Sequence, residues 1–313
     1  VVRVLLHLFD ERRGAGGRRD GCADRGVGRR PATAGNLPHH LLAGVPALWL
    51  AVFFLAPLAF TVVFSFGRPT FGGVVPDFTL DNYAAALSGF YGATFLRTIA
   101  FAASASALCL GAALPVAYFV ARHTRRHRAL AIALIVVPYF SSFLIRLMSL
   151  HMLMSRDGAV QGMLNALHLH HGPLDVLDTR TAVFIGMVYG YLPIAVVPLF
   201  VVIDRIPRAL IEASRDLGAS RWQTFRFITL PMIRPGIATA ILLTMVPMLG
   251  ELVVPRLLGG DRGMLMGQAI SAQYLQSQNY ALGSAMAVLV LVAVAIIVAV
   301  LARITRGFAE VGR

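Results

Sequence analysis

Few side chains in this 313-residue chain are equipped for chemistry, and their types exclude more than they allow. All 28 basic residues are arginine; lysine is absent. A P-loop needs a lysine on the β- and γ-phosphates and Schiff-base catalysis needs a lysine amine, so the chain is neither its own P-loop ATPase nor a Schiff-base enzyme. Cys22 and Cys109 are too few and too far apart for a disulfide framework or a CxxC metal site. His168, His170 and His171 form an HxHH cluster. Without a helical i, i+4 pair or a nearby cysteine it reads as a solvated loop ahead of a metal site. G-x-S-x-G, H-E-x-x-H and paired catalytic carboxylates are all missing, so no catalytic or metal-binding residue is assigned. Two ionisable side chains are clearly embedded in apolar stretches, Arg146 and Glu251. An ionised carboxylate inside a membrane helix costs on the order of 2.5–3.5 kcal/mol, so Glu251 asks for a reason. It reads either as the counter-charge for a cation crossing the membrane or as the partner of Arg146 in a buried ion pair.

The elements that hold these residues are membrane helices. Hydrophobic types make up 57% of the chain and charged types 14%, with mean hydropathy +0.72. One or two soluble domains cannot hide that surplus. Stretches long enough to span a bilayer lie at 41–66, 98–121, 129–151, 182–203, 236–257 and 281–302. Pro57, Pro115, Pro138, Pro193 and Pro247 interrupt them, which packed membrane helices tolerate. Period-two alternation of a β-barrel is absent, so the expected fold is all-α, a polytopic membrane protein with about six transmembrane helices. Gly186 and Gly190 make a GxxxG in the fourth span, either a close-packing seam or a chance pair in a Gly-rich helix.

Segments 1–40, 122–128, 204–235 and 303–313 hold 21 of the 28 arginines. The positive-inside rule puts them, and both termini, in the cytoplasm. Segments 67–97, 152–181 and 258–280 then face outward. With this hydropathy, topology explains the net charge of +13 better than nucleic-acid binding does, and the arginine-rich N-terminus lacks the interleaved aromatics of a nucleic-acid surface. Residues 1–36 are rich in Gly and Arg and begin with Val; they read as disordered or as an over-extended reading frame. They are not a signal peptide, because the apolar segment after them is about 26 residues, too long for an h-region.

Segment 204–235 is the most structured of the loops. Pro207 suits a first helical turn; Leu210, Ala213 and Leu217 make one apolar stripe; Gly218 suits a C-terminal cap. Ser220 and Gln223 have the spacing of a capping box for a second short helix carrying Trp222 and Phe225, and Pro231 and Pro235 bend the chain back into the fifth span. By physics alone the loop is equally well an interfacial anchor.

Its residues carry a further signal. Glu212-Ala213-Ser214, three residues, Gly218, nine residues, then Ile228-Thr229-Leu230-Pro231 resembles the EAA motif of bacterial ABC importer permeases of the MetI-like type I group. Ser214 replaces the usual second Ala, a small-for-small change expected to matter little. The resemblance covers most of the chain from about residue 41. It is closest to the spermidine/putrescine-type permeases, through Thr79-Leu80-Asp81-Asn82-Tyr83, Phe143-Leu144-Ile145-Arg146, Gly158, Asn165, Tyr191-Leu192-Pro193 and Gly250-Glu251-Leu252-Val253-Val254-Pro255 followed by Leu257-Leu258-Gly259-Gly260. The resemblance implies a type I ABC importer permease fold. Its parts are a first helix and outer loop at 41–96, a permease core at 97–303 containing the coupling loop 204–235, and a tail at 304–313. It implies no cofactor on this chain, ATP being used by a cytoplasmic ABC ATPase dimer. It also implies a second permease subunit, identical or paralogous, and a periplasmic substrate-binding protein. Coupling to the ATPase then falls to Glu212, Ala213, Ser214, Asp216, Gly218, Leu230 and Pro231, and the substrate path to Glu251, Arg146 and Tyr191. A permease for ferric iron, phosphonate or another small solute is the alternative within the family. A secondary transporter is disfavoured by the scarcity of embedded ionisable groups.

Overall fold

Where water is excluded, a backbone without a closed barrel can satisfy its N–H and C=O groups only within helices. The computed structural model describes residues 39–70, 73–124, 127–166, 175–260 and 262–309. Residues 1–38 of the basic segment, the three clustered histidines, Arg125, Arg126 and residues 310–313 of the tail lie outside the described residues. The chain divides into two units, Val1–Val52 and Phe53–Arg313. The first contributes helix α1 (His39–Leu50). The second contains α2 (Ala56–Ser65), a two-stranded hairpin of β1 (Arg68–Thr70) and β2 (Gly73–Val75), α3 (Asp81–Leu87) and α4 (Gly89–His123). There follow α5 (Arg128–Val136), α6 (Phe143–Met154), α7 (Ala159–Ala166), α8 (Arg180–Arg205) and α9 (Arg208–Asp216). The chain continues through α10 (Arg221–Thr224), α11 (Leu230–Leu249), α12 (Val253–Leu258), α13 (Met266–Leu275) and α14 (Tyr280–Ala309).

Five helical runs are long and apolar enough to cross a membrane: Pro46–Ser65, Gly89–His123, Arg180–Arg205, Arg221–Leu249 and Tyr280–Ile304. A sixth, expected at 129–151 with Pro138 interrupting it, is sharply bent. Its halves, Arg128–Phe140 and Phe143–Met163, meet at 89°. Pro138 sits in a 3₁₀ turn, Val137–Phe140, and Ser141 and Ser142 are extended (ψ 157° and 128°). Proline removes a backbone donor and clashes with the preceding turn, which two serines do little to resist. The fifth span also differs from expectation. It begins at Arg221 rather than near 236, because α10 and α11 are joined by a π-helical turn, Phe225–Thr229, so the second short helix of the loop is the foot of the span. The wider turn lies where the Pro231 ring would meet the carbonyl four residues back. The span ends at Leu249, eight residues before the expected position 257.

The core is made of small residues. Along α4, Ala102, Ala105, Cys109, Ala113, Ala117 and Ala121 form one fully buried stripe, packed chiefly on α8. Small side chains let helices approach closely where lipid offers no hydrophobic drive to associate. The GxxxG is part of such a seam. A Cβ at Gly186 would lie 2.5 Å from Leu258 Cδ1, and one at Gly190 3.1 Å from Phe143 Cε2. Ser106 and Thr244 share a buried hydrogen bond of 2.7 Å that joins α4 to α11.

The loops sort to two ends. Arg128 pairs with Asp204 and Arg122 reaches Ile206, which brings two arginine-rich segments together. At the opposite end Arg97 donates to Met264 O, Thr98 accepts from Met266 N–H, and Asp178 N–H donates to Leu258 O. There too Asn82 Nδ2 donates to Ser65 O (3.0 Å) and Gly67 O (2.7 Å), while the Tyr83 and Ser65 hydroxyls share a hydrogen bond of 2.6 Å. The carbonyls at a helix C-terminus have no partner within the helix. Asn82 supplies one, which is the physical reason for Asn-Tyr at this spot.

Candidate functional site

Helix α8 ends at Arg205. Ile206 is extended (ψ 120°), Pro207 caps the next helix, and α9 runs from Arg208 to Asp216. Ile211 and Ser214 turn inward and are buried. Ser214 Oγ donates to Ile211 O (2.9 Å) and meets Thr224 Oγ1 (2.9 Å), so the Thr224 hydroxyl is free to donate to it. The replacement of Ala by Ser is therefore not inert: it ties α9 to the foot of the fifth span. Leu210, Ala213 and Leu217, the expected apolar stripe, face away from the chain with Glu212 and Asp216; Leu217 is 89% exposed. Leu230 and Pro231 are half-buried where α11 begins.

Gly218 makes the elbow. It has φ +83°, and its N–H donates to Arg215 O at 2.8 Å, while Ala219 N–H donates to Ser214 O at 3.0 Å. A Cβ there would meet nothing within 4 Å, so this position asks for a left-handed backbone rather than for space. The capping box is complete: Gln223 N–H donates to Ser220 Oγ (3.2 Å) and Ser220 N–H to Gln223 Oε1 (2.8 Å). Trp222 and Phe225 stack with ring centroids 5.8 Å apart.

Glu251 lies in a break rather than inside a helix. After Leu249 the chain passes Gly250, Glu251 and Leu252 before α12 starts. The side chain is only 8% exposed, so its carboxylate needs donors from the protein. Oε2 accepts from Tyr191 Oη at 2.5 Å, and Oε1 accepts from the N–H groups of Val253 (2.9 Å) and Val254 (3.3 Å). Gly267 of α13 backs this break closely: a Cβ there would lie 2.6 Å from the carbonyl oxygens of Gly250 and Glu251.

Arg146 does not pair with Glu251. Its guanidinium stands 5.1 Å from the Tyr139 ring centroid and 5.8 Å from that of Phe143, and its Nε is buried without a hydrogen-bond partner. Equal depth in two straight helices was the basis for expecting an ion pair, and neither helix is straight at that point. The structure thus joins two of the three expected path residues, Tyr191 and Glu251, and leaves Arg146 against aromatic faces. It also brings in Asp204, Arg122 and Arg128 at the arginine-rich end and Tyr139 beside Arg146, none of which the motif spacing singles out. An isolated Asp at the end of a span, between arginine-rich loops, was the available signal for the first group.

Residues 107–309 match the family model described as "Binding-protein-dependent transport system inner membrane component". The chain belongs to this family. It is a multi-pass inner-membrane permease subunit of an ABC importer, and such subunits are not themselves catalytic. It is similar to the spermidine/putrescine transport system permease protein PotB of Salmonella typhimurium (strain SL1344), 36% identical over 238 residues, covering 76% of this chain and 83% of that protein. PotB of Escherichia coli (strain K12) is 34% identical over 259 residues, covering 82% and 94%. In fold it resembles a chain of the crystal structure of bacterial alginate ABC transporter in complex with alginate pentasaccharide-bound periplasmic protein. The TM-score there is 0.66 at 20% identity, over 87% of this chain and 94% of that one.

Proposed function

We propose that this permease imports polyamines such as spermidine and putrescine, with its arginine-rich end in the cytoplasm. Likeness to the PotB proteins over most of both chains carries the reading. A buried carboxylate held by a tyrosine and two backbone N–H groups, with no ion pair to an arginine among the described residues, agrees with it. A cation in the pathway would find a negative charge that is neutral in no local pair. In this reading α9 docks on a cytoplasmic ATPase through Leu210, Glu212, Ala213, Asp216 and Leu217, which the chain leaves uncovered. ATP is bound and hydrolysed by that partner, present as a dimer, and this chain carries no cofactor. A second permease subunit completes the pathway and a periplasmic binding protein delivers the substrate. Both termini are cytoplasmic.

The test is uptake by the complex reconstituted in proteoliposomes with ATP inside and the binding protein outside. ATP-dependent accumulation of spermidine or putrescine, and not of ferric iron or phosphonate, is the expected result. Accumulation of another solute with no polyamine uptake would overturn the substrate assignment and leave the permease assignment standing.

A further inference from the structure

The two arginine-rich segments that meet beneath the spans make contacts that the coupling motif does not include. Arg128 Nη1 pairs with Asp204 Oδ2 at 2.8 Å. Arg122 Nη1 donates to Ile206 O at 3.2 Å, and Arg208 Nη2 donates to Arg122 O at 3.4 Å. All three converge where α8 gives way to α9. Ile206, the extended residue there, is buried.

Helices α8 and α11 are joined to α9 by the chain itself and must respond when it moves. The broken span is not joined in this way. Its first half, α5, has no fully buried residue and meets the core through half-buried side chains such as Ile135. Its first residue is Arg128, whose ion pair reaches the last turn of α8. The second half, α6, begins at Phe143, which fills the notch above Gly190, one residue from Tyr191. A mechanical route therefore runs from the start of α9 through Asp204, Arg128 and the break at Ser141 and Ser142 to the neighbourhood of Glu251.

Arg122 offers a second position for the same contact. Its Nε and Nη2 are buried and have no hydrogen-bond partner among the described residues. Unpaired buried donors are costly and favour any arrangement that gives them a partner. Asp204, two residues before the Ile206 carbonyl that Arg122 already holds, is the carboxylate that can serve them once it leaves Arg128.

We propose that Asp204 and Arg128 form a latch that makes the broken span follow α9, with Arg122 holding the hinge at Ile206 and receiving Asp204 when the latch opens. The latch rests on the reading that α9 docks on an ATPase. Arg128 and Asp204 are positioning residues: they touch no substrate and act through the spans they join.

The experiment uses the whole complex in proteoliposomes and reads spermidine moved per ATP hydrolysed, with the ATPase retained on purification as the control. Asp204→Asn and Arg128→Gln should each lower that ratio by about two- to fivefold, the range expected for a pair only one third exposed. The double variant should be no worse than either single one, since both remove one contact. Asp204→Glu and Arg128→Lys should keep most of the ratio, which a merely structural role for these positions would not require. Unchanged ratios, or defects that add in the double variant, overturn the latch while the ATPase is still retained. A wild-type complex that retains no ATPase overturns the docking reading itself.

Discussion

Replacing Glu251 by Gln removes one charge and one atom's identity while leaving the shape. The amide oxygen of Gln can still accept from Val253 and Val254 N–H, and the Tyr191 hydroxyl can rotate to accept from the amide nitrogen. Loss of charge assistance on these bonds amounts to about 1 kcal/mol each, so the fold should survive. The loss to a passing cation is larger. A unit charge at about 4 Å feels roughly 4 kcal/mol at an effective dielectric of 20, of which desolvation of the cation takes a part. Even half of that is about a thirtyfold effect on occupancy of the site. Tyr191→Phe separates the readings. It removes one donor and leaves the charge, so polyamine uptake should fall by less than tenfold, whereas Glu251→Gln should lower it by more than tenfold at normal complex yield. The assay is initial-rate uptake of labelled spermidine into proteoliposomes, normalised to assembled complex. If Glu251 only caps α12, the two variants should instead share a loss of yield and transport normally per complex. Glu251→Gln complex importing spermidine within twofold of wild type would refute the reasoning.

At the elbow, Gly218→Ala should cost about 1–2 kcal/mol from the left-handed backbone alone, and Gly218→Asn, which tolerates that conformation, clearly less; substrate-stimulated ATP hydrolysis should therefore rank Gly, Asn, Ala. The reverse order of Asn and Ala would mean that bulk against the partner, not φ, fixes the glycine. Asn82→Ala strands the carbonyls of Ser65 and Gly67 and should destabilise the outer end of the first span by about 1–3 kcal/mol, seen as a lower Tm of the detergent-purified protein; an unchanged Tm counts against the cap. Single cysteines placed by Thr124→Cys and Ser220→Cys should react with an impermeant maleimide only from the cytoplasm, and Ser277→Cys only from outside. Labelling of the Ser220→Cys protein in intact spheroplasts would reverse the orientation.

What was legible in the sequence was what is written locally. The capping box of Ser220 and Gln223 and the left-handed Gly218 each depend on residues within four positions and form as expected, while Pro207, expected in the first turn of α9, stands one position earlier as its cap. Five spans were found by hydropathy because length and apolarity are sums over one segment. The failures came where a segment's shape depends on what lies beside it. Pro115 lies within an unbroken α4, while Pro138 opens a right-angled break, and the residue type is the same at both. The fifth span was placed by its most apolar stretch, but its polar foot from Arg221 is helical because the cap at Ser220 starts it and Ser214 braces Thr224.

The two halves of the site were legible to different degrees for a physical reason. A helix that docks on another protein, as proposed for α9, presents side chains from one contiguous turn or two, so its chemistry would be compressed into a spacing such as Glu212, Ala213 and Gly218. A charge held inside a membrane is instead satisfied by whatever donors converge on it. Those that hold Glu251 come from the fourth span and from the backbone of α12, and backbone N–H groups have no letter in a sequence. Equal depth suggested Arg146 because it was the other charge available, but a guanidinium can also rest on aromatic faces, and Tyr139 and Phe143 lie closer to it along its own broken span. With Arg146 held there, Glu251 is spared a permanent cation, which is the condition a carboxylate must meet to receive a transient one.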